Sequence, residues 1–457
     1  MRRLTWLGAL AVATLAASAR AEDVPPAPAL VPPPASPPPA DALRAEVARQ
    51  GAAIDALTAS LEKEQHEREN PAVHVSGFLQ VDWVIHNQQS QDEINGSTGQ
   101  PLNQDRFTLR RGHVRVDAGT GLVSGVLEMD ANTTNGPQVR PIEANVSFRW
   151  PEKPKNRLPA IMATFGLMRI PFGFEVQEVD FVRPFLERAN MLQALFPGEF
   201  DLGMKLAVKY SFLDWSIAVM NGSPIGAKVF PDLDPVLAKE LVGRLGVDVE
   251  IAPGVRFQGG VSGDTGTGFH AGTPATKNVL VWQDQNGDGL VEPNEITAIG
   301  GTAATPSQIF HRFALGGDAR LIVRVAPLGN LTFRAEAVNA QNLDRGLEVA
   351  DPVGAGHNLR EVGYSGAVTQ ELTRWAMVGA RYDLYNPNGD ASEQRAVGLV
   401  PVDRAYSTLA LMGMARYKQA RLLLEYDINR NPLGTAPNGN PTTLADNALT
   451  LRGQLVF

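Results

Sequence analysis

The sequence predicts an all-β chain: a sixteen-stranded antiparallel transmembrane β-barrel with an N-terminal coiled-coil helix. Three observations carry that expectation. From residue 73 onward apolar and polar residues alternate with a period of two. The links between the alternating runs are by turns short and long. No uninterrupted apolar run of bilayer-spanning length follows residue 21, so only strands could cross a membrane, and lipid admits strands only as closed barrels.

The elements follow in order. Residues 1–21, MRRLTWLGALAVATLAASARA, join Arg2 and Arg3 to an apolar run from Leu4 to Ala17 and end on Ala19-Arg20-Ala21. This is the pattern of a secretory signal cut after Ala21, the apolar run being too short for an anchor. Residues 22–40 are dominated by Pro and Ala and read as an extended, semi-rigid linker. Residues 41–70 switch to helix formers. Leu43, Val47, Ile54, Leu57 and Leu61 fall at four- and three-residue steps with Gln50 in the remaining position, which is a coiled-coil seam that calls for partner helices. A lone amphipathic helix packed on the main domain fits the same residues. Residues 71–457 form the barrel, and the absence of Cys excludes a disulfide framework.

Within the barrel the alternating segments lie at about 73–86, 106–117, 121–131, 139–150, 160–171, 203–211, 214–222, 239–251, 255–264, 310–325, 330–340, 358–368, 372–384, 405–417, 421–429 and 447–457. An even number returns both chain ends to one side, expected to be the periplasm. A soluble sandwich would alternate in the same way. The tight links at Leu213, 252–254, 326–330 and 418–421 opposite long ones favour a barrel, as do aromatic residues near strand ends: Trp83, Trp150, Tyr210, Trp215, Trp375, Tyr382, Tyr417 and Tyr426. NALTLRGQLVF, with Leu449, Leu451, Leu455 and Phe457 on one face, resembles the terminal sorting signal of bacterial outer-membrane proteins.

In IEANVSFRW the apolar set is Ile142, Ala144, Val146, Phe148 and Trp150. If such faces meet lipid, the opposite faces line water. Those opposite faces carry Arg115, Arg149, Arg244, Arg256, Arg312, Arg320, Arg324, Arg334, Arg381, Arg416, Arg421 and Arg452, with Lys205 and Lys209. Guanidinium forks suit phosphate, and a basic row supplies successive weak sites. The same faces also carry Asp82, Glu128, Asp130, Glu143, Asp248, Glu250, Asp318, Glu336, Asp383, Glu425 and Asp427, so wall ion pairs are the competing reading. Removal of Arg2, Arg3 and Arg20 with the leader takes the formal charge from −8 to about −11, the wrong sign for an anion collector if spread evenly. RFTLRRGHVRV changes parity between Leu109 and His113, so a bulge or strand end intervenes and the facing of Arg110 and Arg111 stays open.

RFTLRRGHVRVDAG (106–119), LEMDAN (127–132), FGLMRIPFGFE (165–175) and RPFLERANMLQALFPGEFDLGMKL (183–206) resemble the phosphate-selective porin O and P family over roughly residues 73–457. The resemblance implies a homotrimeric channel in the outer-membrane lipid, often preceded by a periplasmic coiled coil, with a basic bore that conducts anions such as phosphate. It also implies that the loop after FGLMRIPFGFE folds inward. Arg169 then takes the place of the family's basic residue before the Pro-Phe pair, and Arg183, Glu187 and Arg188 lie on the constriction loop. The expected function is passive diffusion of small hydrophilic solutes, anion-preferring and phosphate- or polyphosphate-selective. The alternatives are a tether between outer membrane and periplasm, or a calcium-dependent surface-binding barrel. No metal-spaced His cluster, no G-x-S-x-G and no H-E-x-x-H string points to an enzyme, and nucleic acid is not an expected partner.

One motif stands apart. DQNGDGLVEPNE (284–295) fits the calcium-loop pattern at every specified position. Asp284, Asn286 and Asp288 would offer side-chain oxygens, Leu290 its carbonyl, Glu292 a direct or water-mediated contact, and Glu295 a bidentate carboxylate. Flanking NVLVW and ITAIG lack helix signals, so a structural calcium in a surface loop within 265–309 is expected rather than a sensor. An acidic turn that binds nothing is the alternative.

Overall fold

The computed structural model describes residues 49, 51, 54–58, 72–87, 103–151, 159–231, 233–395, 398–435 and 441–457. The leader, the Pro-rich linker and most of the 41–70 segment lie outside the described residues. The chain divides into two units, Met1–Glu64 and Gln65–Phe457. In the first, Arg49, Gly51 and Ile54–Thr58 are helical, with Ile54 and Leu57 exposed.

The second unit is a closed antiparallel barrel of sixteen strands. They are β1 (Ala72–His86), β2 (Arg106–Thr120), β3 (Val123–Asn132), β4 (Gln138–Trp150), β5 (Ala160–Arg169), β6 (Phe200–Tyr210), β7 (Leu213–Met220) and β8 (Glu240–Ala252). There follow β9 (Val255–His270), β10 (Gln308–Arg324), β11 (Asn330–Gln341), β12 (Arg360–Glu371), β13 (Ala376–Asn386), β14 (Tyr406–Tyr417), β15 (Ala420–Arg430) and β16 (Ala448–Val456). Every segment read from the alternation is a barrel strand. β1 pairs with both β2 and β16, which closes the ring, and Gly77 and Phe457 exchange both backbone hydrogen bonds at 2.9 Å.

The period-two pattern sorts side chains as a membrane barrel requires. Val81, Trp83, Val146, Phe148, Met204, Leu245, Leu315, Leu411 and Leu455 are exposed on the outer face, while Gln80, Asp82, Asp318, Asp383 and Arg452 are buried on the inner one. Two-residue turns at Gly121–Leu122, Ser211–Phe212, Pro253–Gly254 and Lys418–Gln419 lie on the side of the chain's C-terminus. Gly121 and Gly254 adopt φ of 46° and 78°, which a side chain would strain. Trp150, Tyr210, Trp215, Trp375 and Tyr417 stand exposed near this short-turn end. The long links emerge at the other end. The longest, between β9 and β10, carries a hairpin of Val279–Trp282 with Ile296–Ile299, where the β-branched flanks of the acidic motif pair with each other.

Two bulges re-aim inner-face residues. The β1–β2 register passes from Gln80↔Arg111 to Val81↔Leu109, leaving Arg110 as the extra residue. The β3–β4 register passes from Glu128↔Glu143 to Met129↔Pro141, leaving Ile142 as the extra residue. Ile142, expected on the lipid face, is instead buried with Leu167, Phe200 and Ile225, because the additional residue reverses the parity of the strand.

The apolar core lies inside the barrel, on the link from β5 to β6. Ile170, Phe172, Val176, Met191, Leu192, Leu195 and Phe196 are all but inaccessible and pack on inward-facing Ala218, Met220, Val242, Ala314, Val338 and Ala340. Each such Phe, Leu or Met contributes about 1.5–3 kcal/mol when buried.

Candidate constriction and pore wall

The inward loop starts at PFG. Phe172 lies against Phe196, ring centroids 4.5 Å apart, over a wall glycine: a Cβ on Gly316 would come within 2.8 Å of the Phe172 ring. Gly173 takes φ 55°, which turns the chain so that Phe174 N and Glu175 N donate to Glu336 at 3.3 and 3.2 Å. After a 3₁₀ turn at Asp180–Val182 comes helix α1 (Asn190–Leu195), where Met191 sits over Gly363. Asn190 N donates to Asp383 at 3.1 Å and Leu186 N to Glu425 at 3.0 Å, while Arg421 donates to Phe181 O at 2.6 Å. The loop is therefore pinned to the far wall of the lumen, which is the inward fold that the family resemblance implies.

Two carboxylates of the loop itself gather arginines. Glu199, at its end, is buried and takes Arg169, Arg183 and Arg188 together. Arg169 also donates to Val176 O and Glu178 O, at 3.0 and 3.2 Å. Arg183 pairs with Asp180 and donates to Glu178 O at 2.8 Å. Arg188 caps the C-terminal end of α1, donating to Leu192 O at 3.0 Å and to Phe196 O and Pro197 O at 2.8 Å. These three sequence-predicted arginines thus have their forks filled by the loop itself.

The second carboxylate, Glu187, binds the wall. Arg110 contacts it through Nε at 2.8 Å and Nη2 at 2.9 Å, Arg111 through Nη1 at 3.1 Å and Nη2 at 2.8 Å, and Arg452 through Nη2 at 2.9 Å. The β2 bulge makes this possible, since it turns two consecutive arginines to the same side. Burial pushes the Glu187 carboxyl up, but the guanidiniums of Arg110, Arg111 and Arg452 outweigh it and hold the group well below the usual carboxylate range. Sequence reasoning gave Arg110 and Arg111 no role; the parity break in RFTLRRGHVRV was the signal. Glu199 lies within a quoted stretch but carried no signal of its own.

The remaining sequence-predicted cations divide into paired and unpaired ones. Arg115 contacts Asp117, Glu128 and Glu143; Arg244 forks onto Asp318 at 2.6 and 3.1 Å; Arg256 pairs with Asp248; Arg312 reaches Glu240 at 2.8 Å, and Arg334 reaches Glu178 at 2.8 Å. Lys205 donates to Arg169 O at 3.1 Å. Arg149, Lys209, Arg320 and Arg324 have no ion pair among the described residues, and all four lie toward the short-turn ends of β4, β6 and β10. Arg320 lies over the Phe174 ring, 5.0 Å from its centroid. With Arg334, Arg416 and Arg421 it lines a recess of about 160 Å³ in which, among the described residues, Glu371 is the sole carboxylate. On the long-loop side a recess of about 360 Å³ is balanced, Arg106, Arg110, Arg188, Arg381 and Arg452 facing Asp82, Glu187, Asp383, Glu425 and Asp427.

The acidic motif folds as a self-bonded turn. Asp284 accepts from Gly287 N at 2.6 Å and Gly289 N at 2.8 Å, Asn286 from Asp288 N at 2.9 Å, and Asp288 from Leu290 N at 2.7 Å. Glu295 accepts from the Trp282 indole and from Gln285 N, both at 3.0 Å, and the indole bond holds its carboxyl below the ordinary range. Glu292 lies 3.4 Å from the Asn286 amide. Among the described residues no three acidic or histidine side chains converge as a metal cage would. In this arrangement Glu295 is bonded to Trp282 and Gln285 N, so a calcium ion held by the loop would require it to give up those partners.

No family model and no curated protein matches the sequence. Solved structures do match. The outer membrane channel DcaP of Acinetobacter baumannii superposes with a TM-score of 0.52 at 11% identity, over 85% of this chain and 98% of that one. An anion-selective porin from Comamonas acidovorans gives 0.48 at 9% identity over 85% and 100%, and OprB of Pseudomonas putida 0.48 at 11% over 88% and 97%. The chain has the fold of an outer-membrane channel barrel.

Glu199→Gln is expected to lower stability by about 3–5 kcal/mol, because Arg183 and Arg188 would stay buried without their shared carboxylate. Urea unfolding of the barrel in detergent measures this; an unchanged midpoint would show that the loop does not depend on the pairing.

Proposed function

We propose that the chain is an outer-membrane channel through which small hydrophilic solutes diffuse passively, with a preference for anions, phosphate among them. The observation that carries this reading is the unequal pairing of the wall. On the long-loop side and at the constriction nearly every guanidinium is matched by a carboxylate. At the short-turn mouth Arg256 pairs with Asp248 and Arg416 with Glu371, but among the described residues Arg149, Lys209, Arg320 and Arg324 have no ion pair and Arg421 bonds only a carbonyl. Short turns face the periplasm in such barrels, so the excess positive charge stands at the periplasmic mouth, even though the chain as a whole is acidic. Spaced guanidiniums bind oxyanions without trapping them. In planar bilayers under a KCl gradient, Arg320→Glu with Arg421→Glu is expected to move the reversal potential toward cation preference and to weaken phosphate inhibition of chloride current. An unmoved reversal potential would assign both residues to the wall alone.

We also propose a homotrimer held in part by the 41–70 helices on the periplasmic side. The exposure of Ile54 and Leu57 supports a seam that lacks its partners. Deletion of residues 41–70 is expected to reduce the heat-resistant oligomer on gels; an undiminished oligomer would leave the barrel surfaces sufficient.

Calcium binding by 284–295 is proposed on its ligand spacing, and it requires Glu295 to exchange Trp282 for the ion. Equilibrium calcium binding near 10⁻⁴–10⁻³ M, the range of extracellular sites, is expected to be lost in Asp284→Ala/Glu295→Ala. Equal binding by both proteins would remove the site.

A further inference from the structure

We propose that Arg110, Arg111 and Arg452 form an oxyanion-binding site in the channel wall, and that Glu187 occupies it as a tethered competitor for the permeating anion. The inference rests on the channel reading above and gives it a specific site. The Glu187 carboxylate stands where a carboxylate or phosphate group of a solute would stand: three guanidiniums converge on its two oxygens at 2.8–3.1 Å. Paired N–H donors on two consecutive arginines make the fork geometry that favours such groups.

Charge supports the same assignment. Asp82 takes Arg452 through two contacts of 2.7 Å, and Asp180 lies 3.4 Å from Arg111 Nε. Among the described residues Glu187 is the sole carboxylate bonded to Arg110, whose other side-chain partner is the Thr134 hydroxyl at 3.3 Å. Asp180 is shared with Arg183, so with Glu187 turned away Arg110 loses its carboxylate and the cluster has room for a negative charge. The site is also reachable. Glu187 and Arg110 are each 28% exposed and line both the recess of about 360 Å³ and its neighbour of about 180 Å³. Release needs only rotation of the Glu187 side chain, because Asp383 and Glu425 hold the flanking backbone and Glu199 holds the neighbouring Arg188 side chain. A solute anion that displaces the carboxylate frees it to repel the next anion out of the site, so binding is kept weak enough for passage.

The test uses the full-length protein in detergent and in planar bilayers, with inorganic phosphate and acetate as probes. Glu187→Gln removes the competing charge and keeps the shape. Phosphate binding by calorimetry, and phosphate inhibition of chloride current, are expected to tighten about tenfold or more, since the competent fraction of the site rises toward one. Arg110→Gln in the Glu187→Gln background is expected to abolish the gain, and Arg110→Gln alone to weaken phosphate inhibition of the natural channel. Unchanged phosphate affinity in a conducting Glu187→Gln channel would overturn the site. If Glu187→Gln fails to fold, as read from its heat-modified gel mobility, an unaltered phosphate inhibition in Arg110→Gln alone would overturn it. Absence of conductance in the natural protein would overturn the channel reading instead, and calorimetric binding would still decide the site.

Discussion

A strand that crosses a bilayer finds no water for its N–H and C=O groups, so its ladder must be completed on both edges. Everything else in this chain depends on that constraint. It brings β1 to β16 and carries the pairing to the last residue, Phe457, whose N–H and C=O both meet Gly77. Closure then divides every strand in two: one face meets lipid and must be apolar, and the other meets a lumen too narrow to solvate its charges fully. The inner face is consequently crowded with ionised groups that have to satisfy one another, and the inward loop takes much of the space that water would fill.

The loop is held by two kinds of force acting at different places. Its start and its helix bury Phe172, Met191, Leu192 and Phe196 against inward residues of β7 to β14. Carboxylates fix it elsewhere, Glu199 at its end drawing Arg169, Arg183 and Arg188 together and Glu187 in its middle gripping the wall. Burying these arginines costs desolvation, and the arrangement is stable because each charge is paired and hydrogen-bonded. A salt-bridged loop is therefore a positional device more than a source of net stability; it sets where the lumen narrows.

The strands were legible because a period of two survives in the sequence wherever one face meets lipid, as in VHVSGFLQVDW and RFALGGDARLIVRV. Two breaks in that period had different visibility. Arg110 left a trace, since Phe107 and Leu109 share parity with Arg111 and His113, and a bulge was the natural cause. Ile142 left none, because an isoleucine in an alternating run looks the same whether it faces lipid or the loop. The constriction was legible only through the resemblance of FGLMRIPFGFE and FLER to porin sequences. Its pairings were not, because Glu187 meets residues 77 positions before it and 265 after it, and nothing local records such distances. The lumen face of Arg115 or Arg244 was likewise readable, whereas its occupation by Glu128, Glu143 or Asp318 is a matter of register between strands.

Charge is therefore distributed by height and not by total. The chain is acidic, yet many of its acidic groups serve as partners for arginine at the loop and the long links, as at Glu187, Glu199 and Glu240. The short turns need no such partners. A two-residue turn such as Ser211–Phe212 closes by backbone geometry, and Lys209 beside it stays exposed, in a recess it shares with Asp248, Glu250 and Arg256. Uncompensated charge acts on a passing ion over about a Debye length, roughly 8 Å at physiological salt, whereas a neutralised pair acts little beyond contact. The narrowing thus contributes shape and a single exchangeable carboxylate, and the open mouth contributes the sign of the field.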